Sequence, residues 1–253
     1  MVLLLFVDPE AELDPELRAL RPLGAYFVLR TVADLAHAPR PGPVPLAEAY
    51  GATTSDVYRD RLGFRVRKVA RALSAPEERI AASVAQLGLA ARLWSVALGS
   101  AAVYGRIPDL GPRLLGWDPD ASAPDDLWLT EVRPLPGDAA TVAAAVLDAH
   151  LEPLAAAVRS RHRVAAGLLW GNAASALTGA ARRLDRWARA EGRPDVAARS
   201  GALTRRLLTD PRLAGTGTLT GTAFRRRSCC LYYRLPGGGL CGDCCFTRAP
   251  AAR

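Results

Sequence analysis

The chain holds five cysteines, and all of them fall between Cys229 and Cys245, in the pattern C-C-x10-C-x2-C-C: Cys229, Cys230, Cys241, Cys244 and Cys245. Thiolates are nucleophiles and soft metal ligands, so thiols gathered in one segment point to disulfides, a zinc site or an iron-sulfur cluster. A disulfide framework needs an oxidising compartment and normally an even count, and five is odd. Structural zinc takes four ligands at the corners of one tetrahedron, commonly from two C-x2-C knuckles. Here one knuckle, Cys241 with Cys244, is present, and the second pair is the adjacent Cys229 and Cys230. A two-iron cluster also takes four thiolates but divides them between two metal centres, which relaxes the geometry each pair must meet.

The neighbouring residues bear on the same choice. Arg225, Arg226 and Arg227 lie just upstream. A tetrathiolate two-iron cluster is anionic, more so when reduced, so these cations could tune its charge or attract an anionic substrate; alternatively they form a solvated charge run. "PGGG" (Pro236 to Gly239) could curl close to sulfur and donate N–H groups, or could simply turn a hairpin. Four thiols in the same tail favour the cluster in each case. Of the five, Cys245 is left out, because Cys241 and Cys244 have the two-residue gap of a knuckle and Cys245 can pack as a small apolar residue.

The elements that must position this tail are mostly helical. "SAPEERI" has a capping-box spacing, Ser74 with Glu77, and Pro76 in the first turn. Ile80, Val84, Leu87, Ala91, Trp94 and Leu98 then repeat at three- and four-residue steps, predicting a helix whose stripe is core. Further helices are expected over about 53–73 with a kink at Gly63, 139–159, 164–190 and 195–210. "DDLWLTEVRPL" (125–135) alternates as a strand does, and the opening "MVLLLFVDPE" reads as a first strand. "GAYFVLRTVADLAH" fits a strand or a short helix, and "APRPGPVPL" is a loop by its prolines. "LAGTGTLTGTAF" (213–224) gives G-x-G-x-x-x-G after a helix, which misses the dinucleotide fingerprint, and reads as a linker. The fold class expected is mainly α with minor β (α+β), organised as an N-terminal module (1–73), a helical body (74–212) and a linker with the cysteine-rich segment (213–253).

Half of the residues are hydrophobic and 23% are charged, enough for a sizeable core without staples. The opening apolar run lacks the basic flank of a signal peptide. The long Ala/Leu-rich stretches are broken by Arg92 and by Asp148, His150 and Glu152, so no transmembrane segment is expected. The reading is a cytoplasmic protein, with transient docking at the inner face of the membrane left open. Net charge is +8, but of thirty-three basic residues only Lys68 is lysine, and arginines spread over helices do not argue for nucleic acid. His150 reads as a satisfied core histidine, and Trp170 and Asn172 in "LWGN" as core residues rather than a ligand pocket.

The tail resembles the C-terminal [2Fe-2S] domain of the FhuF family of ferric-siderophore reductases. "AARLWSVALG", "LDAHLEPLAAAVR" and "LLWGNAASAL" are similar in order and spacing to that family's helical part, while the first ninety residues carry little that matches. The resemblance implies a [2Fe-2S] cofactor ligated by Cys229, Cys230, Cys241 and Cys244. It also implies one-electron reduction of a ferric siderophore so that Fe(II) is released in the cytoplasm. No nicotinamide or flavin site is legible, so an external donor, a ferredoxin or flavoprotein, is expected. The competing reading is a zinc-stabilised module that binds protein or nucleic acid; a third is a siderophore-binding or biosynthetic relative without redox work.

Overall fold

The computed structural model describes residues 17–31, 44–51 and 60–250. The expected strand at the start of the chain, and residues 53–59 of the helix expected over 53–73, lie outside them.

The molecule is built round helix α3 (Glu78–Tyr104), whose alanines, leucines and serines are buried on nearly all sides. A helix that is apolar all round must sit at the centre of a fold. It ends at Gly105, whose left-handed φ of 71° lets its N–H cap the carbonyl of Ala101. The capping box expected at its start is not formed. Ser74 sits at a φ of 47°, and Glu77 makes no cap bond, because its carboxylate pairs instead with Arg79 and Arg234, each at 2.6 Å. Charge-assisted pairs of this kind compete successfully with a backbone N–H.

Helix α5 (Ala166–Ala190) runs along α3. Helices α2 (Arg61–Ala72), α4 (Ala139–His162) and α6 (Pro194–Leu207) pack around this pair, and the short α1 (Ala47–Tyr50) lies against α2 and α4. Asp60 caps α2 by accepting the N–H of Gly63, and Asp138 caps α4 through Ala140 and Thr141. Residues Ala144–Leu151 of α4 take π-helical hydrogen bonding. Helices α3 and α4 are long and apolar enough to cross a membrane, but 78% and 50% of their apolar windows are buried inside the protein.

Arg92 lies fully buried within α3. Its guanidinium holds Asp126 Oδ1 at 2.9 Å and donates to the carbonyls of Ala25, Tyr26 and Val28, tying the N-terminal segment to the centre. His150 is also buried as expected, with Nε2 at the Leu110 carbonyl and Nδ1 2.8 Å from the Tyr50 hydroxyl.

Strands are short and, among the described residues, form three sheets. Strands β1 (Arg30–Thr31), β5 (Leu127–Leu129), β4 (Leu115–Trp117) and β2 (Val44–Pro45) are neighbours in that order, with β1 parallel to β5 and the other pairs antiparallel. Strand β3 (Arg106–Pro108) pairs with β6 (Pro134–Pro136). The single strand expected over 125–135 is thus two, β5 and β6, in different sheets; Pro134 and Pro136 suit only a short edge pairing. The segment read as a linker is also corrected. Its second half forms the hairpin β7 (Gly217–Thr220) and β8 (Ala223–Arg226), turned at Gly221 with a φ of 59°. A continuous hydrophobic core takes in residues from Leu17 to Phe224.

Candidate metal centre

Hairpin β7–β8 delivers the chain to the face formed by α3 and α5, where the cysteine segment is pinned at several points. Ser228 Oγ donates to the carbonyl of Gly167 at 2.9 Å, and Ser83 Oγ donates to that of Cys230 at 2.8 Å. Ser83 is itself held by the buried amide of Asn172, which also bonds Gln86 Oε1 at 3.0 Å. Close approach depends on Gly171: a Cβ there would stand 2.3 Å from Ser228 Oγ and 3.1 Å from Arg226 Nη2. At the far end Asp243, 6% exposed, accepts from Ser175 Oγ at 2.6 Å and pairs with Arg182 Nη1 at 2.9 Å, while its carbonyl accepts the N–H of Arg226 at 3.0 Å. Both ends of the segment are therefore fixed to α3 and α5.

All five cysteines are free thiols; Cys230 is buried and the others are half-buried. Cys230 Sγ lies 3.6 Å from Cys241 Sγ. Leu231 takes a left-handed φ of 69°, which is costly for a leucine, and its N–H donates to Cys229 Sγ at 3.2 Å. The N–H of Phe246 donates to Cys244 Sγ at 3.5 Å, and the C-x2-C turn closes with Cys244 N–H on the Cys241 carbonyl at 3.0 Å. Cys229 and Cys241 lie within hydrogen-bonding reach of Cys230, which lowers the Cys230 pKa and raises those of Cys229 and Cys241. Burial raises Cys245.

The arginines separate into distinct roles. Arg225 and Arg227 are exposed, and Arg225 Nη2 reaches the Cys245 carbonyl at 3.2 Å. Arg226 is 3% exposed; one nitrogen bonds the carbonyl of Leu168, but Nε and Nη1 have no partner among the described residues. A buried cation without a counter-charge is expensive. It lies near enough to Cys230 and Cys245 to favour their thiolates. An anionic thiolate-ligated cluster would supply the missing charge, so the donor set and the orphaned guanidinium fit a two-iron group. Among the described residues, no three His, Cys, Asp or Glu side chains are placed as a single ion requires, and Cys230 approaches Cys241 across the two cysteine pairs.

Pro236 to Gly239 makes a turn, with Gly238 N–H on the Leu235 carbonyl, while the N–H groups that reach sulfur include those of Leu231 and Phe246. Asp243, Ser175 and Ser83 escaped the sequence reading, although the aspartate inside "CGDC" was visible as a charge between two thiols. Asn172 is fully buried, and Trp170 is half-buried beneath the guanidinium of Arg212 at 6.0 Å.

The stripe of α3 read as core is only partly so. Ile80, Trp94 and Leu98 are buried, but Val84, Leu87 and Ala91 wall an open cavity of 540 Å³ between α3, α5 and residues 23–27. A recess of 190 Å³ containing Arg65, Arg92 and Asp126 shares Tyr26, Val84 and Gly88 with it. Periodicity shows which residues share a face, not whether another element covers it.

Two family profiles match the sequence. One, described as "Ferric iron reductase FhuF-like transporter", covers residues 70–229, and the other, "FhuF 2Fe-2S C-terminal domain", covers residues 226–246. No curated protein matches the chain significantly. The second profile assigns a [2Fe-2S] cluster to the cysteine segment, which displaces the zinc reading.

Proposed function

The chain belongs to the FhuF family of iron-sulfur ferric reductases, and on that premise we propose that it reduces ferric siderophores with the cluster held by Cys229, Cys230, Cys241 and Cys244. The observation that carries this reading is the meeting of the two cysteine pairs, with Cys230 Sγ 3.6 Å from Cys241 Sγ, beside the uncompensated Arg226.

A [2Fe-2S] group supplies one electron at a time. The chain's residues set its position and its potential. Helices α3 and α5 hold the cysteine segment at Ser228, Cys230 and Asp243 through Gly167, Ser83 and Ser175. The N–H groups of Leu231 and Phe246 stabilise negative charge on Cys229 and Cys244, as does buried Arg226 on Cys230. Cys245 remains outside the ligand set and presents its carbonyl to Arg225.

A cluster held by these cysteines would take one electron from a separate reduced donor, a ferredoxin or flavoprotein, and would pass it to the Fe(III) of the chelate. Hard oxygen ligands hold Fe(III) more tightly than Fe(II), so the metal is then released in the cytoplasm. Exposed Arg225 and Arg227 favour the approach of an anionic partner to this face. Anaerobic purification followed by visible and EPR spectra, before and after dithionite, tests the centre, and ferric-siderophore turnover tests the reaction. A red-brown protein that gains a spin-half signal on reduction and releases Fe(II) from a chelate is expected. A colourless, EPR-silent protein carrying one zinc would end the proposal.

A further inference from the structure

The groove over α3 is large enough for a small molecule, since such pockets commonly span about 300–1,000 Å³. Its two ends differ. At one end Ser175 lines the cavity and donates to Asp243, so this end is a single hydrogen bond from the turn that carries Cys241 and Cys244. Between the ends, Val84, Leu87 and Ala91 of α3 face Ala176 and Gly179 of α5 in a largely apolar channel with no carboxylate among its described lining residues; Arg183 also lines the cavity, with Nε donating to the Leu23 carbonyl.

At the other end two guanidiniums meet one carboxylate. Arg92 holds Asp126 Oδ1 at 2.9 Å and commits its other nitrogens to backbone carbonyls. Arg65 stands 3.9 Å from Asp126 Oδ2, makes no hydrogen bond to a described residue, and rests over the ring of Trp117 at 5.7 Å. Its side chain is only 15% exposed. Asp118 and Asp120 act on Arg65 from outside the recess lining, where Asp120 is held by Lys68. Burial disfavours the charge on Arg65, an effect that a bound anion would relieve.

We propose that this groove is the chelate site: the methylene frame of a ferric chelate lies along the apolar channel, a carboxylate on the chelate pairs with Arg65, and the iron end lies towards Ser175 and the thiol-bearing turn. The inference rests on the ferric-chelate reading above and adds to it the place of binding and a preference for carboxylate-bearing substrates.

Gallium(III) complexes, which bind as ferric ones do but are not reduced, separate binding from electron transfer. Calorimetry on the cluster-loaded protein would compare a linear gallium tris-hydroxamate ending in a carboxylate with its ammonium-ended counterpart. Tighter binding of the first is expected. Arg65→Gln should weaken it by about 10- to 100-fold, as loss of a charged hydrogen bond does, and change the second by less than about threefold. Gly88→Leu is the blocking variant. A Cβ at Gly88 meets nothing within 4 Å, and leucine is the better helix former, so the side chain enters the groove with the fold intact. It should abolish binding of both complexes with no fall in Tm. Wild-type protein that binds neither complex, or equal binding in all three proteins, overturns the groove. If Gly88→Leu reduces a ferric tris-hydroxamate as fast as the wild type, the groove falls and the reductase stands. If groove binding is present but no ferric counterpart is reduced, the reductase falls and the groove stands.

Discussion

Ser175 on α5 donates its hydroxyl hydrogen to Asp243 Oδ2 at 2.6 Å, joining the central helix pair to the turn between Cys241 and Cys244. The same carboxylate holds Arg182 at 2.9 Å and is almost inaccessible to water. Asp243 is therefore a positioning residue for two of the thiols.

Asp243→Ala should loosen the C-x2-C turn and leave Ser175 and Arg182 without their acceptor. Loss of a charged hydrogen bond costs about 1.5–3 kcal/mol, which in a chain of this size lowers Tm by several degrees. The iron content of freshly purified protein should fall as well. A variant with full iron and unchanged Tm would show that the turn holds its shape unaided.

The ligand assignment predicts a split among the cysteines. Cys229→Ser, Cys230→Ser, Cys241→Ser and Cys244→Ser should each remove the visible bands of the cluster, whereas Cys245→Ser should keep them. Cys245 differs in standing outside the two-residue gap of Cys241 and Cys244 and in presenting its carbonyl to Arg225. Iron and sulfide analysis alongside the spectra decides the matter, and equal loss in all five would require a different ligand set.

Arg226 and Arg227 are neighbours in sequence but unequal in setting, one buried with two unpartnered nitrogens and the other exposed. A buried charge acts through a lower dielectric and is screened less by salt. Arg226→Gln should lower the reduction potential by an amount on the order of tens of millivolts, with Arg227→Gln giving a smaller shift that disappears at high salt. Redox titration of both variants at two ionic strengths measures this.

Burial pushes the His150 pKa from 6.5 down to about 4. Because the Leu110 carbonyl can only accept, Nε2 carries the proton and Nδ1 accepts from the Tyr50 hydroxyl, so the ring is neutral in the folded protein. The unfolded chain binds a proton below pH 6.5 that the folded one refuses until about pH 4. Stability contributed by this site is complete above pH 6.5, declines as the pH falls towards 4, and is lower by at most ~3 kcal/mol beyond that. Urea unfolding at pH 7 and pH 5 should show a steeper loss for the wild type than for His150→Gln; parallel losses would contradict it.

Much of this was legible in the sequence for a physical reason. Helices α3 to α6 announce themselves through apolar periodicity and abundant alanine, and the thiol pattern is chemically distinctive in any context. The splitting of residues 125–135 between two sheets was not legible, because strands of three residues depend on partners far away in the chain. The alternation in "TLTGTAF" around a glycine was a hairpin signal, but the glycine count of the whole stretch obscured it. The stripe Val84, Leu87 and Ala91 was apolar for a face that stays partly open, and sequence alone does not tell an uncovered apolar face from a covered one. The isolation of Arg226 among three consecutive arginines follows from strand alternation in β8, which faces one of each adjacent pair inward.

Helices α3 and α5 wall the groove and also carry the anchors of the thiol segment, Ser83 and Ser175 among them. Where binding in the groove is coupled through this helix pair to reduction of the centre, thermodynamic reciprocity fixes the sign of the effect. If a chelate grips the oxidised protein more firmly than the reduced one, its arrival must lower the potential of the centre; if it prefers the reduced protein, it must raise it. A substrate bound in this way helps to set the voltage at which it is itself reduced.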